Sequence, residues 1–132
     1  MTAFFDSNVV LYSAGADLAK ADRSDALLAG GGWISVQVLN EVASVSQRKM
    51  RHGWERTHTL LDTVTRLVEV VDVTQAIHRR GLAMAERYRL SVYDGQIVAA
   101  ALETGCDLLY SEDMHHGLVI DGSLRIENPF LG

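Results

Sequence analysis

Short hydrophobic runs alternate with longer amphipathic stretches along the whole of this chain. A few consecutive apolar residues between turn or charged residues predict a buried strand, whereas apolar positions three and four apart predict a helix. Strands are predicted at residues 3–5, 33–34, 68–71 and 108–110, with a last edge strand at 120–126. Helices are predicted at 9–14, 18–28, from 36 to about 47, 54–67, 75–88 and from about 94 to 104. Strands that alternate with helices in this way predict a mainly parallel sheet with helices on both faces.

Acidic residues lie at the carboxyl ends of the predicted strands. Asp6 comes directly after the first strand, and Asp113 comes shortly after the strand at 108–110. Asp94 opens the helix before that strand, and a helix of about 11 residues runs about 16 Å, most of which the returning strand recovers. Asp94 and Asp113 are therefore expected at the same end of this unit. Sites of parallel sheets lie at the carboxyl ends of the strands, so Asp6 is expected there too.

Glu41 stands among the apolar residues of the predicted helix that begins at Val36. A carboxylate on an apolar helix face is costly to bury unless it has a partner. Helical side chains lean toward the N-terminus, so Glu41, in the second turn, can reach back toward the preceding strand end. The alternative is a solvated position at the edge of the helix, where most glutamates lie.

Four carboxylates are thus expected at one edge of the sheet, and the loops there contain no matching lysine or arginine. Such carboxylates repel one another unless a cation lies between them. The available ligands are all oxygen atoms, which predicts a hard ion, Mg²⁺ or Mn²⁺. For Asp6 and Asp94, the alternative is a role as helix cap or turn residue only. Glu112, next to Asp113, is the alternative to Asp113 itself.

Composition limits the remaining possibilities. A chain of 132 residues that is 48% hydrophobic predicts one domain, residues 1–132, with a substantial core. The single cysteine, the lack of a signal peptide and the lack of any apolar run near 18 residues predict a cytoplasmic protein without a membrane segment. The net charge of −5 argues weakly against a nucleic-acid partner, unless a metal or a local basic patch holds it. Arg48, Lys49, Arg51 and His52 form one such patch, for which a solvated helix end is the alternative.

Four segments carry a family resemblance: FFDSNVVLYS, VQVLNEVASV, YDGQIVAAAL and LLYSEDMHHG, the last followed by RIENPF. They resemble the PIN domain, specifically the toxin nucleases of VapBC toxin–antitoxin pairs. The resemblance implies a three-layer α/β/α sandwich with a short, mainly parallel sheet, and a metal-dependent endoribonuclease that releases a 5′-phosphate and a 3′-hydroxyl. It implies that Asp6, Glu41, Asp94 and Asp113 are the metal-binding acids. Asn8 and Ser111 match the polar positions beside the first and last acids.

Gly95 departs from the alanine that is more usual after the third acid of this family. A glycine inside a helix costs only about 1 kcal/mol relative to alanine, so the departure is expected to have little effect on the chemistry.

The resemblance also implies three partners: an RNA substrate, a small VapB-like antitoxin whose tail occupies the acidic pocket, and a second copy of the chain. Two rival functions need weighing. A haloacid dehalogenase-type phosphatase requires an acid two residues after the first one, where this chain has Asn8. A catalytically silent PIN-like interaction module remains open, and titration of Mn²⁺ into the purified protein separates it from the nuclease.

Overall fold

A computed structural model describes residues 1–131, which form six strands and six helices. The strands are β1 (Ala3–Phe5), β2 (Trp33–Ser35), β3 (Glu69–Val71), β4 (Leu108–Tyr110), β5 (Val119–Ile120) and β6 (Leu124–Glu127). The helices are α1 (Ser7–Tyr12), α2 (Leu18–Ala29), α3 (Val36–Arg48), α4 (Trp54–Leu67), α5 (Gln75–Tyr88) and α6 (Val92–Glu103). The alternation of strands and helices that the sequence predicts is therefore confirmed.

The strands form a single sheet in the order β3-β2-β1-β4-β6-β5. All neighbouring pairs are parallel except β5 and β6, which are antiparallel. In the centre, Phe4 of β1 pairs with Trp33 on one side and with Leu109 on the other. Helices α1 to α4 contact one another in one group, whereas α5 and α6 form a second group, and α6 also contacts the sheet. The predicted α/β sandwich with a mainly parallel sheet is confirmed.

The end of the chain differs from the prediction of one edge strand at 120–126. The structure has two strands joined by a tight turn at Asp121 and Gly122, which both adopt positive φ angles, of 49° and 69°. Asp-Gly favours this type of hairpin turn because both residues tolerate positive φ. The second strand, β6, lies between β4 and β5, so the edge of the sheet is β5. The prediction of a single strand is wrong because the Asp-Gly turn at Asp121 and Gly122 divides the apolar run into two strands.

Helix starts place two of the acids. Asp6 is itself the N-cap of α1, with extended backbone angles and a side chain that accepts from the Ser7 amide. Helix α6 begins at Val92 with Ser91 as its cap, so Asp94 lies in the first turn. Ser35 and Thr74 cap α3 and α5, where their side chains accept from the Val38 and Ile77 amides.

The core centres on β1, β4 and α6, whose residues from Gly95 to Ala101 are all buried. Helices α5 and α6 approach closely at Gly81 and Gly95. A Cβ atom added to Gly95 would lie 2.4 Å from the Gly81 carbonyl oxygen, so the two backbones leave no room for a side chain here. Within residues 1–131, no helix has both the length and the hydropathy that crossing a bilayer would require.

Candidate active site

Asp6 is the most deeply buried of the predicted acids, at 4% exposure. Its backbone amide donates to the Tyr110 carbonyl, which fixes it between the ends of β1 and β4. Its carboxylate accepts hydrogen bonds from the Ser7 amide at 2.8 Å and from Ser111 Oγ at 2.7 Å. The pKa of Asp6 is raised from 3.8 to about 6: burial raises it most, the hydrogen bonds from Ser111 and Ser7 lower it, and the charges of Asp94 and Glu41 also raise it.

Glu41 extends from the second turn of α3 toward the start of α1. Its Oε2 accepts from Ser7 Oγ at 3.1 Å, and its Oε1 accepts from Gln37 Nε2 at 2.8 Å. The side chain is half-buried and holds two hydrogen bonds, so Glu41 does not occupy the solvated edge position considered as the alternative. It reaches the residue next to Asp6, at the same rim of the sheet.

Asp94 is half-buried in the first turn of α6. Its amide donates to Ser91 Oγ at 3.0 Å. Burial raises the pKa of Asp94, and the nearby charges of Glu41 and then Asp113 raise it further, whereas a hydrogen bond with the Ser91 side chain lowers it. Gln37 Nε2, which donates to Glu41, also donates to the Tyr93 carbonyl oxygen at 3.1 Å, so the start of α6 lies beside Glu41.

The two neighbouring acids after β4 point to different places. Asp113 is exposed, and its Oδ2 accepts from Asn8 Nδ2 at 3.3 Å. Glu112 is directed away, toward Tyr12 Oη and Lys20 Nζ, the latter at 2.6 Å. Partial burial would raise the pKa of Glu112, but the hydrogen bonds from Lys20 and Tyr12 outweigh it and lower the pKa. Of the two candidates, Asp113 is the one that faces the other acids.

Asn8 and Ser111 connect the acids to one another. Asn8 Nδ2 donates to Asp6 at 3.4 Å as well as to Asp113, and Asn8 Oδ1 accepts from the Glu112 amide at 3.2 Å. Ser111 is fully buried; its Oγ donates to Asp6 and accepts from the Met114 amide at 3.3 Å. A network of side-chain hydrogen bonds therefore links the end of β1 to the loop after β4.

The model of the PIN domain family matches residues 3–117 of this chain. The chain belongs to the PIN domain family. The match spans the segments that carry Asp6, Glu41, Asp94 and Asp113, so the resemblance found in the sequence is confirmed for the family. A comparison with curated proteins gave no match.

Solved structures with the same fold include toxins of toxin–antitoxin pairs. A toxin–antitoxin complex from Klebsiella pneumoniae is 22% identical, with a TM-score of 0.72 and 98% of each chain covered. VapC20 from Mycobacterium tuberculosis, a toxin that cleaves the sarcin–ricin loop, is 19% identical, with a TM-score of 0.69, 85% of this chain covered and 92% of that chain. VapBC2 from Rickettsia felis, bound to a fragment of promoter DNA, is 19% identical, with a TM-score of 0.68 and coverage of 97% and 98%. At these identities the likeness extends to the fold.

The acidic rim of this PIN domain, formed by Asp6, Glu41, Asp94 and Asp113, has neighbouring hydrogen-bond donors that the sequence analysis missed. Ser7 and Gln37 hold Glu41, and Tyr12 and Lys20 hold Glu112. Gln37 could have been found from the sequence, because residues four apart on a helix are neighbours. Lys20 and Glu112 are 92 residues apart, and no local pattern joins them.

The carboxylates of the acidic rim do not form a preformed metal site. Among residues 1–131, no three side chains of the types His, Cys, Asp and Glu are grouped closely enough to hold a metal as they stand. The same residues contain no salt bridge to Asp6, Glu41, Asp94 or Asp113. Carboxylates that lie at one rim with no basic partner among these residues are a donor set that suits a hard divalent cation.

Proposed function

We propose that this PIN domain is an Mg²⁺- or Mn²⁺-dependent endoribonuclease and the toxin of a type II toxin–antitoxin pair. The observation that carries the proposal is the convergence of four carboxylates, from four separate chain segments, at one rim without a basic partner. Asp6 is buried there although burial raises its pKa to about 6. A fold that keeps such a repulsive arrangement gains nothing in stability from it, whereas a divalent cation at the rim would offset the repulsion.

In the proposed site, Asp6, Asp94 and Asp113 hold the ion, and Glu41 binds or orients the attacking water. When bound, the ion supplies an activated water and a positive charge opposite the phosphodiester oxygens. Asn8 supports this arrangement because its Nδ2 donates to both Asp6 and Asp113. Ser111 holds the carboxylate of Asp6 in place because its Oγ donates to Asp6 Oδ2. Cleavage would release a 5′-phosphate and a 3′-hydroxyl.

Glu41 is suited to a different task from the three aspartates. Its two carboxylate oxygens already accept from Ser7 and Gln37, so its side chain is held in place in the absence of an ion. A carboxylate fixed in this way can accept a hydrogen bond from a water without moving, which favours general-base or water-orienting work.

The test is cleavage of RNA by the purified chain with and without Mn²⁺, for the natural protein and for Asp94→Asn. Removal of one ligand charge is expected to lower the rate at least about 100-fold, which corresponds to about 2.7 kcal/mol in the barrier. Asp62→Asn, an exposed acid on α4, serves as the control and should leave the rate unchanged. Equal cleavage by Asp94→Asn and the natural chain would refute the proposed role.

The second candidate is a catalytically silent interaction module with the PIN fold. One observation favours it: no three candidate ligands within residues 1–131 are close enough to hold an ion without rearrangement. Mn²⁺ titration by calorimetry separates the two. Binding that is lost in Asp94→Asn supports the nuclease, and the absence of any binding supports the interaction module.

We propose that an antitoxin and a second copy of the chain are the protein partners. An acidic rim attracts basic groups, so an antitoxin tail with a positive residue would neutralise the same carboxylates that hold the ion. Support comes from the similar toxin–antitoxin complexes from Klebsiella pneumoniae and Rickettsia felis. Co-expression with a small DNA-binding protein encoded next to this chain should yield a complex that does not cleave RNA. Light scattering of the chain alone measures its own association.

A further inference from the structure

Glu112 occupies an acidic position in the sequence next to Asp113, yet its surroundings are unlike those of the other acids. Its carboxylate contacts Tyr12 Oη on α1 and Lys20 Nζ on α2, so it joins the loop after β4 to two helices. Lys20 Nζ also lies 4.4 Å from the centre of the Tyr12 ring and 5.4 Å from that of Phe130. Lys20 is therefore held by an anion and by two aromatic faces, and it is not free to neutralise the rim.

The backbone of Glu112 acts on the rim through Asn8. Its amide donates to Asn8 Oδ1, so the side-chain amide of Asn8 is oriented with Nδ2 toward Asp6 and Asp113. The reverse orientation would place a carbonyl oxygen against two carboxylates. The contacts of the Glu112 side chain tie the residue that supplies this amide to α1 and α2.

We propose that Glu112 is a positioning residue: with Lys20 and Tyr12 it forms a clamp that keeps Asp113 and Asn8 in place for the ion. The inference rests on the proposed function for its metal, but the clamp itself is a property of the chain without an ion. The two neighbouring acids then have different tasks. Asp113 contributes its charge to the rim, whereas the charge of Glu112 is used to bind Lys20.

Residues that hold the ligands of a metal site in place affect its metal affinity strongly, and loss of one of them typically weakens metal binding about 10- to 100-fold. Glu112→Gln keeps the size of the side chain and removes its charge, so it is expected to weaken Mn²⁺ binding about tenfold. The exchanged pair Lys20→Glu with Glu112→Lys restores the attraction with opposite signs and should bring the affinity back to within about threefold of the natural chain. Tyr12→Phe removes one of the two donors to Glu112 and is expected to give a smaller loss.

The experiment combines calorimetric Mn²⁺ titration with the NMR signals of the Asn8 side-chain amide in the metal-free protein. The natural chain, Glu112→Gln, Tyr12→Phe and the exchanged pair are compared, with thermal unfolding to show that each is folded. Glu103→Gln is the matched control, because Glu103 forms an exposed ion pair with Arg80 on other helices. In Glu112→Gln the Asn8 signals should shift, and in the control and the exchanged pair they should stay near those of the natural chain.

Three results would overturn the inference. One is a Glu112→Gln variant with unchanged Mn²⁺ affinity and unchanged Asn8 signals. Another is a loss of melting temperature alone, which would make the contact merely structural. The third is complete loss of Mn²⁺ binding that the exchanged pair does not recover, which would make Glu112 a ligand. If the natural chain binds no Mn²⁺, the proposed function fails, while the Asn8 signals of the metal-free variants still decide whether the clamp exists.

Discussion

The acidic rim and the contact between α5 and α6 meet at neighbouring residues, and they are built on opposite principles. Asp94 belongs to the rim, where burial and the charges of Glu41 and Asp113 raise its pKa and no basic side chain within residues 1–131 pairs with it. Gly95, the next residue, belongs to the helix contact, where a Cβ would lie 2.4 Å from the Gly81 carbonyl oxygen. Repulsion and burial of charge in the first region are expected to lower the stability of the fold, whereas the second contributes close packing. Substitutions in the two regions are therefore expected to change stability with opposite signs.

The largest effect is expected at the helix contact. In Gly95→Ala the new methyl group would overlap the Gly81 carbonyl and lie 2.9 Å from Ala85 Cβ, so the helices must move apart. Overpacking of this kind lowers the free energy of unfolding by about 1 to 3 kcal/mol. Because the atom in the way belongs to the backbone and cannot rotate aside, we expect a loss of about 3 kcal/mol. Urea unfolding measures it, with Gly15→Ala as the control, because the nearest atom there would be 3.4 Å away. A loss below about 0.5 kcal/mol would show that the helices are not locked together.

At the rim the sign should reverse. The pKa of Asp6 is raised from 3.8 to about 6, so its charged form destabilises the fold. The free energy of unfolding of the wild-type chain should fall by about 2 to 3 kcal/mol as the pH rises from about 4 to 6. Above about pH 6 it should stay constant. Asp6→Asn should unfold at higher denaturant than the wild type at pH 8, by about 1 to 2 kcal/mol, because it also loses charge-assisted bonds from Ser7 and Ser111. The advantage should disappear below pH 4.

The same proton should control metal binding. An ion at the rim requires ionised Asp6, so Mn²⁺ affinity is expected to fall about tenfold for each pH unit below 6 and to stay constant above it. Isothermal titration between pH 5 and 8 measures this slope. An affinity that does not change across pH 6 would mean that Asp6 is not among the ligands.

The smallest effect concerns the basic patch at the end of α3. Arg48 and Lys49 are exposed at the C-terminal end of the helix that carries Glu41. Arg48→Glu or Lys49→Glu should weaken RNA binding by about threefold and reduce its dependence on salt, while Mn²⁺ binding stays intact. Arg79→Glu, an exposed position on α5, is the control. Equal effects at both places would reduce the patch to general surface charge.

The acidic residues at the rim could be read from the sequence because strand ends are local features. Asp6 follows an apolar run directly, and Asp94 and Asp113 flank a helix and a strand whose lengths return the chain to the same edge. Their role as ligands stays a prediction until an ion is measured. The hairpin of β5 and β6 was missed because its turn, at Asp121 and Gly122, interrupts a run that is otherwise strand-like.

Contacts between distant segments could not be read in this way. The sequence alone presents Gly95 as a matter of helix propensity, whereas the structure shows that the Gly81 carbonyl on another helix leaves no room for a side chain. The pairing of Glu112 with Lys20 likewise joins elements that no periodicity connects. Sequence patterns report which face of an element is buried, but not which atom on another element lies opposite.

Strand β1, near the amino end, sits in the middle of the sheet and pairs with β4, whose residues come more than 100 positions later. During synthesis on the ribosome, a nascent chain can expose Asp6 and Glu41 long before Asp94 and Asp113 exist. Strand β1 can pair with β4 only after β4 has been synthesised, and closing so long a loop is slow. The full set of acids therefore exists only once Asp113 has been synthesised, more than 100 residues after Asp6.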